Sequence, residues 1–579
     1  MTTSRPLDPL RSTPPLRGAM AHERYAPSVT PRLEQQRRWV DRRLAAAPRW
    51  CSVDLRDGNQ ALVHPMDSER KLALFRLLVS LGFKEIEVGF PASSSSDYRF
   101  IRRLIEEDLV PRDVTLQVLA PCREDLLVRT FECLSGAQRA IIHFYNPTSE
   151  LQQRLVLGLS ATQCLEQATH GARLCRSFAL AASGDIYFEY SPESYTASDP
   201  HFVYDICAAV TDELSASPEH PVIINLPATV EVYDPAAYAD GVEWFVDLVD
   251  LERVIVSLHP HNDRGTAVAA AEFGLRAGAS RLEGTLLGNG ERTGNVDLVT
   301  VALNLMSQGV DPELDLRDVD EIVRVCEYVT QIPTSPRHPY VGSLVYTAFS
   351  GAHQDAISKV LHAGGLENRW EVPYLPIDPR DVGRNYDAVV RVNSQSGKGG
   401  LAWVLHHEFG LDLPRELRSD FAPVVQAFCE DVGEASGAQI LDLFLRTYVR
   451  DDHPLAFISS EVVSQHDGQC ELTCRVRING VDRVVVGRGA GVVEALCDAL
   501  ARELGIDLAV RSYSEHALSE LTESAAVAYV LVEDRRVDEW ETVWGVGTDR
   551  SMLVACLKAV LAALNRTKWH EAPVVLSAG

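Results

Sequence analysis

The sequence has no uncharged apolar run near the roughly 18 residues that a membrane-spanning helix needs, and its N-terminal segment has none of secretory-signal length. Positive charge is also scarce, because 55 Lys and Arg face 81 Asp and Glu, for a formal net charge of −26. Proteins that bind duplex nucleic acid or acidic membranes show the opposite balance. The composition therefore predicts a soluble, cytoplasmic protein with neither nucleic acid nor membrane as a partner.

The twelve cysteines include no C-x-x-C pair. This absence argues against a zinc ribbon and against a redox dithiol. Cys470 and Cys474 are predicted to share one face of a strand, where two core thiols in a reducing cytoplasm are favoured over a disulfide.

The charge is unevenly distributed, because the start of the chain is net positive. The first 50 residues carry ten arginines and four acids, and four prolines interrupt the first 15. We expect residues 1–45 to form a flexible, solvated leader, which is favoured over a targeting segment.

Eight short, β-branched runs alternate with segments of helical periodicity between residue 50 and about residue 290, which is the βα rhythm of a parallel sheet. The runs are residues 51–55, 85–89, 115–119, 139–144, 185–190, 222–226, 254–259 and 281–286. Eight strands close a (β/α)8 TIM barrel. A doubly wound open sheet is the alternative, but RDGNQA follows the first run where that fold needs a glycine-rich phosphate turn. A barrel over residues 46–330 is therefore favoured.

Active-site groups of such a barrel follow the strands, at the C-terminal mouth. Polar residues stand at these positions: Arg56, Asp57, Gln60, Arg123, His143, Asn146, Glu189, Glu193, Thr229, His259, His261, Asn262, Asp263, Asn289, Glu291 and Asn295.

His259 and His261 are two residues apart at a strand end, so both imidazoles project to one side and can share a metal ion. An H-x-H pair alone is more often a pair of surface or hydrogen-bonded histidines, but Asp57 and Asn295 offer oxygen ligands nearby. Without a thiolate, this set suits zinc, manganese, magnesium or cobalt, and its open positions suit chelation of a 2-oxo acid. Arg56 either stabilises a developing alkoxide or forms a structural pair with a carboxylate.

Two glycine-rich segments have open interpretations. GNGERTGN (288–295) lets the backbone approach a ligand closely, but it lacks the lysine and spacing of a P-loop. NSQSGKGG (393–400) either holds a phosphate through Lys398 or forms an exposed connection.

Six separated motifs resemble those of 2-isopropylmalate synthases, a family of the DRE-TIM metal-dependent acyltransferases. They are DLRDGNQA (54–61), GFPASSSSD (89–97), EYSPES (189–194), NLPATVE (225–231), HPHNDRGTAVA (259–269) and GNGERTGN (288–295). The resemblance continues through SGAHQDA (350–356), PYLPIDPRDVGR (373–384) and RVNSQSGKGG (391–400), and covers roughly residues 35–570.

The resemblance implies a Claisen condensation of the co-substrate acetyl-CoA with 2-oxoisovalerate, giving 2-isopropylmalate and CoA in leucine biosynthesis. It implies Mg, Mn or Zn as the divalent ion, held by Asp57, His259 and His261, with Asn295 completing or flanking the shell. Arg56 would stabilise the oxygen of the 2-oxo acid. Glu189, His143 and Thr229 would line the site, Thr229 bonding the substrate carboxylate.

His353 matches the family's proposed base, and Tyr386 matches an assisting tyrosine. Both lie in a helical linker segment, residues 331–429, beyond the eighth strand. The resemblance therefore implies a homodimer whose subunits share each active site. In a protein of net charge −26, cations such as Lys398 and Arg391 are expected to concentrate around the CoA phosphates.

Residues 430–579 change to alternating strands followed by helices, the pattern of a separate α+β module. At SEHAL (514–518), AAVAYV (525–530) and WGVG (544–547) this module resembles a leucine-binding regulatory domain, with Gly487, Gly489, Gly491 and Ala525 at the implied effector site. The family's turn reads close to G-x-G-N-G-P, whereas this chain has G-R-G-A-G-V at 487–492. Because an Asn and a Pro are replaced, leucine inhibition is left open.

Three rival functions remain. A homocitrate, citramalate or other alkylmalate synthase would share the chemistry with another 2-oxo acid. A metal-dependent aldolase or lyase would not need CoA, and the long C-terminal module speaks against it. A binding module would need neither a base nor a metal triad.

Overall fold

Eight parallel strands close into a barrel in the first of two units, Met1–Gly342 and Ser343–Gly579. The computed structural model describes residues 36–348, 350–363, 370–385, 392–393, 398–432, 434–449, 454–464, 469–518, 525–534 and 541–567. The predicted leader therefore lies outside the described residues up to residue 35. The division of the chain into four predicted parts stays a prediction.

Each barrel strand coincides with one of the predicted runs, and the strands pair in chain order. They are β1 (Arg49–Ser52), β2 (Glu85–Glu87), β3 (Thr115–Pro121), β4 (Arg139–Pro147), β5 (Asp185–Glu193), β6 (Val222–Ala228), β7 (Val254–Pro260) and β8 (Arg281–Gly284). β8 closes the barrel onto β1, with Cys51 opposite Glu283. The predicted TIM barrel is confirmed.

The end of the first strand differs from its prediction. β1 stops at Ser52, and Asp54–Gly58 form a π-helical turn whose residues are all buried. Such turns are often found at functional sites. This turn carries Arg56 and Asp57 at the barrel mouth.

Helices follow the strands around the barrel. They are α1 (Ser68–Leu81), α2 (Ser95–Glu106), α3 (Glu124–Cys133), α4 (Glu150–Gln152), α5 (Ala161–Ala181), α6 (Pro200–Glu213), α7 (Pro235–Leu248), α8 (Ala267–Arg276), α9 (Leu298–Ser307) and α10 (Val319–Thr330). Local sequence sets their ends: Asp67 caps α1, and Ser160 and Gln163 form a capping box at α5. A π-helical turn follows α4 at Gln153–Leu157, and a 3-10 turn lies at Tyr195–Ala197.

The second unit begins with helices and continues with antiparallel sheets. Its first elements are α11 (Gly351–Ala363), a 3-10 turn (Pro379–Val382), β9 (Val392–Asn393), α12 (Lys398–Phe409), α13 (Arg415–Val432), β10 (Glu434–Ala435) and α14 (Gly437–Tyr448). These are followed by β11 (Leu455–Ser464), β12 (Cys470–Ile478), β13 (Val481–Gly489), α15 (Val492–Leu504), β14 (Leu508–Leu518), β15 (Ala525–Asp534), β16 (Glu541–Asp549) and α16 (Met552–Leu564). The predicted helical segment and α+β module are confirmed.

The antiparallel sheets form an internal repeat. Strands β11–β13 precede α15, and strands β14–β16 precede α16. Gly487 packs so closely on α15 that a Cβ there would lie 2.1 Å from the Ala495 carbonyl oxygen, and a Cβ on Gly547 would lie 2.1 Å from that of Ala555 on α16. The same close strand–helix contact is therefore built twice.

All twelve cysteines are buried and free, so Cys470 and Cys474 are core thiols, as predicted. In the part of the chain that the structure describes, no helix combines the length and apolarity needed to cross a bilayer.

Candidate active site

One carboxylate oxygen at the barrel mouth is the meeting point of the predicted metal ligands. Asp57 Oδ2 lies 3.2 Å from His259 Nε2, 3.2 Å from His261 Nε2 and 2.7 Å from Asn295 Nδ2. All four side chains are buried. The structure thus brings together residues from the π-helical turn after β1, the end of β7 and the loop after β8, and Asp57, His259 and His261 form a group that can hold a metal ion.

In each histidine, the contact made by Nδ1 leaves Nε2 as the atom that faces the metal position. His259 Nδ1 lies 2.7 Å from Glu283, and His261 Nδ1 lies 3.2 Å from the Ala228 carbonyl oxygen. Because a carbonyl can only accept, Nδ1 of His261 carries the proton, and the carboxylate favours the same tautomer in His259. Two imidazole lone pairs and a carboxylate oxygen then converge, an arrangement that a cation stabilises.

Burial alone would lower the pKa of His259, but its bonds to Asp57 and Glu283 raise that pKa to about 9. Burial likewise opposes ionisation of Asp57, yet Arg56 and the two histidines hold its pKa well below the usual range. The site therefore attracts positive charge, supplied either by a proton or by a metal ion.

Asn295 flanks this group in the structure. Its amide nitrogen faces Asp57, and its Oδ1 is buried without a hydrogen-bond partner among the described residues. An unpaired buried oxygen beside the ligands is consistent with the predicted place of Asn295 at the edge of a metal shell.

A network of charged side chains fills the barrel beneath the ligands. Arg281 is fully buried and contacts Glu283 at 2.8 Å, Glu189 at 3.2 Å and Glu85 at 2.5 Å. Burial opposes the ionisation of Glu283, but Arg281 and His259 keep its pKa well below normal. Arg281 therefore maintains the carboxylate that orients His259.

Arg56 connects the π-helical turn to a second part of the network. Its guanidinium contacts Asp57 at 2.7 Å and Glu87 at 2.5 Å, and Glu87 lies 2.7 Å from His143 Nδ1. The structural pair that the sequence left open is thus present. Because Arg56 also lines the cavity, the alkoxide interpretation stays open beside it.

The network carries more negative than positive charge. The carboxylates of Asp57, Glu87, Glu189 and Glu283 accompany the guanidiniums of Arg56 and Arg281, all of them buried. Burial raises the pKa of Glu189 well above normal despite the attraction of Arg281, and the neighbouring carboxylates of Glu283 and Glu87 raise it further. A protonated Glu189 would leave three carboxylates facing two guanidiniums, and a cation on Asp57 would offset the remaining negative charge.

A cavity of about 210 Å³ opens above the network. Its lining comprises Arg56, Asp57, Gln60, Phe90, Leu119, His143, Tyr145, Ser191, Glu193, Asn225, Pro227, Thr229, His259, His261, Glu291 and Arg292. Phe90, Leu119, Tyr145 and Pro227 give this lining apolar and aromatic surface, and Asp57, His259 and His261 give it the metal-binding group. The arrangement suits a small substrate that has both an oxygen-rich end and an apolar end.

Some predicted mouth residues serve other purposes. Arg123 is exposed and pairs with Asp125, and Asn146 bonds Cys164 and Tyr190. Asn289 donates to the Gly58 carbonyl oxygen. Glu189 is fully buried and is not among the lining residues of the cavity, and its predicted role in the site stays a prediction.

Three family models match the chain in sequence order. HMGL-like matches residues 47–326, the post-catalytic domain-like part of alpha-isopropylmalate synthase matches residues 343–406, and the LeuA allosteric (dimerisation) domain matches residues 434–568.

Curated relatives match nearly the whole chain. The 2-isopropylmalate synthase of Parafrankia sp. is 49% identical, covering 96% of this chain and 99% of the relative. That of Kineococcus radiotolerans is 51% identical, covering 92% and 95%, and that of Rhodospirillum rubrum is 49% identical, covering 91% and 96%. The chain belongs to the 2-isopropylmalate synthase family.

As a member of the 2-isopropylmalate synthase family the chain is an enzyme, and a CoA-independent aldolase or lyase is not favoured. The matched dimerisation module indicates a homodimer. His353 lies on α11 with its ring exposed and stacked on Tyr374, the ring centroids 3.9 Å apart. Tyr386 and Arg391 lie outside the described residues, as do the side chains of Lys398 and Ala525.

The effector residues predicted from the 2-isopropylmalate synthase family have a packing role in the structure. Gly487 and Gly489 allow β13 to approach α15, and Gly491 caps that helix. Their regulatory role stays a prediction.

Sequence reasoning missed Glu87, Glu283 and Arg281, the residues that orient the predicted ligands. A signal was available, since each is a charged residue within a strand buried on both faces. It also missed the apolar part of the cavity lining: Phe90 and Pro227 stand in quoted motifs but were given no role, and Leu119 and Tyr145 stand in none of those motifs.

Proposed function

We propose that this chain condenses acetyl-CoA with 2-oxoisovalerate to give 2-isopropylmalate and CoA. One observation carries the proposal: a group that can bind a metal, Asp57, His259 and His261, lies beside Arg56 in a cavity whose lining also includes apolar side chains. A divalent ion held there, magnesium, manganese or zinc, would polarise the ketone of the 2-oxo acid.

The side chains of the cavity would orient the acceptor. Thr229 would donate its hydroxyl hydrogen to the carboxylate, and Arg56 would stabilise the ketone oxygen as negative charge develops on it. His143 is held by Glu87 on Nδ1 and by Ser191 on Nε2 at 2.7 Å each. It would therefore present a fixed wall to the substrate.

The cavity favours a branched aliphatic acceptor. Phe90, Leu119 and Pro227 supply the apolar surface that an isopropyl group needs. Among the described lining residues the cations are paired, Arg56 with two carboxylates and Arg292 with Asp263. A second substrate carboxylate, as in 2-oxoglutarate, would therefore bind less favourably.

A thiol-release assay with purified protein tests the proposal. Acetyl-CoA, a divalent metal and a panel of 2-oxo acids are supplied, and we expect 2-oxoisovalerate to be preferred. Asp57→Asn should abolish release, whereas Asp315→Asn, a change to an exposed carboxylate, should not. Preference for 2-oxoglutarate or pyruvate would indicate a sister synthase, and no acceptor-dependent release would contradict the proposal.

We further propose that His353 is the base that removes a proton from the acetyl methyl group, assisted by Tyr386, and that both come from the partner subunit. The dimerisation module and the exposed ring of His353 support this assignment. Dimers of His353→Ala and of Asp57→Ala should each be inactive, and subunit exchange between them should restore part of the activity. Exchange without recovery would contradict a shared site.

Leucine is the proposed effector of the C-terminal module, and we place the enzyme in the cytoplasm, which its twelve free thiols support. Lys398 and Arg391 are proposed to bind the CoA phosphates. Leucine added to the thiol-release assay should inhibit if the replaced Asn and Pro of the turn at 487–492 are dispensable.

A further inference from the structure

Two residues near the cavity adopt a left-handed backbone without being glycine. Ser194, after β5, has φ +64°, and Arg292, in the loop after β8, has φ +56°. This conformation is unfavourable for a residue with a side chain, so the surroundings must hold it in place. Both residues bond the same partner, Thr229, which follows β6.

Ser194 bonds the side chain of Thr229. Its backbone N–H donates to Thr229 Oγ1 at 2.9 Å. Because a hydroxyl has one hydrogen to donate and two lone pairs to accept with, this bond leaves the hydrogen available to another acceptor.

Arg292 bonds the backbone of Thr229 and connects three loops. Its Nη2 donates to the Thr229 carbonyl oxygen at 2.6 Å, and its Nε donates to Asp263 Oδ1 at 2.6 Å. Asp263, after β7, also accepts the Glu231 N–H at 2.9 Å. One guanidinium thus holds the ends of β6 and β7 against the β8 loop.

We propose that Arg292 is a positioning residue that fixes the Thr229 hydroxyl for the carboxylate of the 2-oxo acid. The inference rests on the proposed function, and it assigns a role to Arg292, a residue of the GNGERTGN segment that the metal group, which Asn295 flanks, leaves unexplained. Asp263 neutralises the charge of Arg292. We therefore expect Arg292 to influence binding of the 2-oxo acid and not binding of the polyanionic acetyl-CoA.

Hydrogen exchange in the ligand-free protein tests whether the contact holds the backbone. Arg292→Ala should speed exchange in peptides covering residues 226–232, and Arg292→Lys should do so less. Lysine can pair with Asp263 but lacks the planar fork that also reaches Thr229. Arg317→Ala, which removes an exposed arginine paired with Asp315, is the matched control. Unchanged exchange in Arg292→Ala would overturn the proposal.

Titration calorimetry of 2-oxoisovalerate into the Mn²⁺-loaded enzyme, without acetyl-CoA, tests whether Arg292 acts on substrate binding through Thr229. Arg292→Ala should weaken binding about tenfold, the scale of a lost charge-assisted hydrogen bond. The double variant with Thr229→Ala should bind no more weakly than Thr229→Ala alone, because the two residues act in series. Additive losses would overturn the proposal.

Steady-state kinetics separates this inference from the proposed function. Arg292→Ala should raise KM for the 2-oxo acid about tenfold and leave KM for acetyl-CoA unchanged. A rise confined to acetyl-CoA would make Arg292 a donor contact and overturn the inference. If the wild type binds 2-oxoisovalerate but releases no thiol, the proposed function fails while the titration still decides the inference. If the wild type does not bind it, both fail.

Discussion

Asp57 Oδ2 shows how single residues create a metal-binding group. Two imidazoles approach it because the acceptors on their far sides, Glu283 and the Ala228 carbonyl, determine which nitrogen faces inward. Glu283 is in turn kept ionised by Arg281. The ligands therefore depend on residues that do not touch the metal position.

We expect Glu283→Gln to lower metal affinity about 10- to 100-fold, because an amide is a weaker acceptor for the His259 N–H. Metal titration of the apoprotein measures the change. Glu85→Gln is the matched control, since Glu85 also pairs with Arg281 at 2.5 Å but has no bond to a ligand among the described contacts. Equal losses in the two variants would contradict an orienting role for Glu283.

Asp54 should make stability depend on pH. Burial raises the pKa of this carboxyl from 3.8 to about 7, against the bonds it accepts from Ser52 and Leu286. Between about pH 4 and pH 7 the folded protein keeps a proton that the unfolded chain releases, so the free energy of unfolding falls as the pH rises through this range.

Asp54→Asn should reduce that slope by up to about 1.4 kcal/mol per pH unit. Urea unfolding at pH 5 and at pH 7.5 measures it. The exposed variant Asp315→Asn serves as the control, and identical slopes in wild type and Asp54→Asn would refute the prediction.

At the scale of elements, glycines on β13 and β16 determine how closely the strands pack on the helices of the repeated module. Strand residues Gly487 and Gly547 occupy equivalent places against α15 and α16, since an added Cβ would lie 2.1 Å from the Ala495 and the Ala555 carbonyl oxygen respectively. The family resemblance implied an effector site at Gly487. In the structure, Gly487 makes the same close contact with its helix as its counterpart on β16. Because both repeats have this close strand–helix contact, packing accounts for the glycines without an effector.

Gly487→Ala should destabilise the first repeat by about 2 kcal/mol or more, because a Cβ would lie 2.1 Å from the Ala495 oxygen. Hydrogen exchange in peptides covering residues 481–504 would show the loss of protection. Gly491→Ala is the control, since nothing lies within 4 Å of its added Cβ. Equal protection in both variants would argue against the contact.

At the scale of the whole molecule, an excess of negative charge favours the binding of a cation inside the barrel. The chain as a whole has a net charge of −26. The same excess of acidic groups is found inside the barrel, where buried carboxylates outnumber guanidiniums around the ligands. A bound divalent ion would stabilise the folded state by about 2.7 kcal/mol at a hundredfold excess over its Kd.

Chelation should therefore lower the thermal unfolding midpoint, and added Mn²⁺, Mg²⁺ or Zn²⁺ should restore it. Differential scanning calorimetry measures the shift. Asp57→Asn should show no shift on chelation, because the central ligand has lost its charge. A wild-type midpoint unaffected by chelator would contradict a structural contribution of the metal.

The sequence by itself determined the eight strands, the helices around them, the α+β module and the ligand triad. These depend on local periodicity and on motifs whose residues are near one another in the chain. Only the tertiary structure decided which polar residues reach the cavity, since the barrel brings Glu87 and Glu283 beside His143 and His259 across long sequence separations. It likewise decided that Glu189 is fully buried beside Arg281, because inward side chains of different strands meet only when the barrel closes.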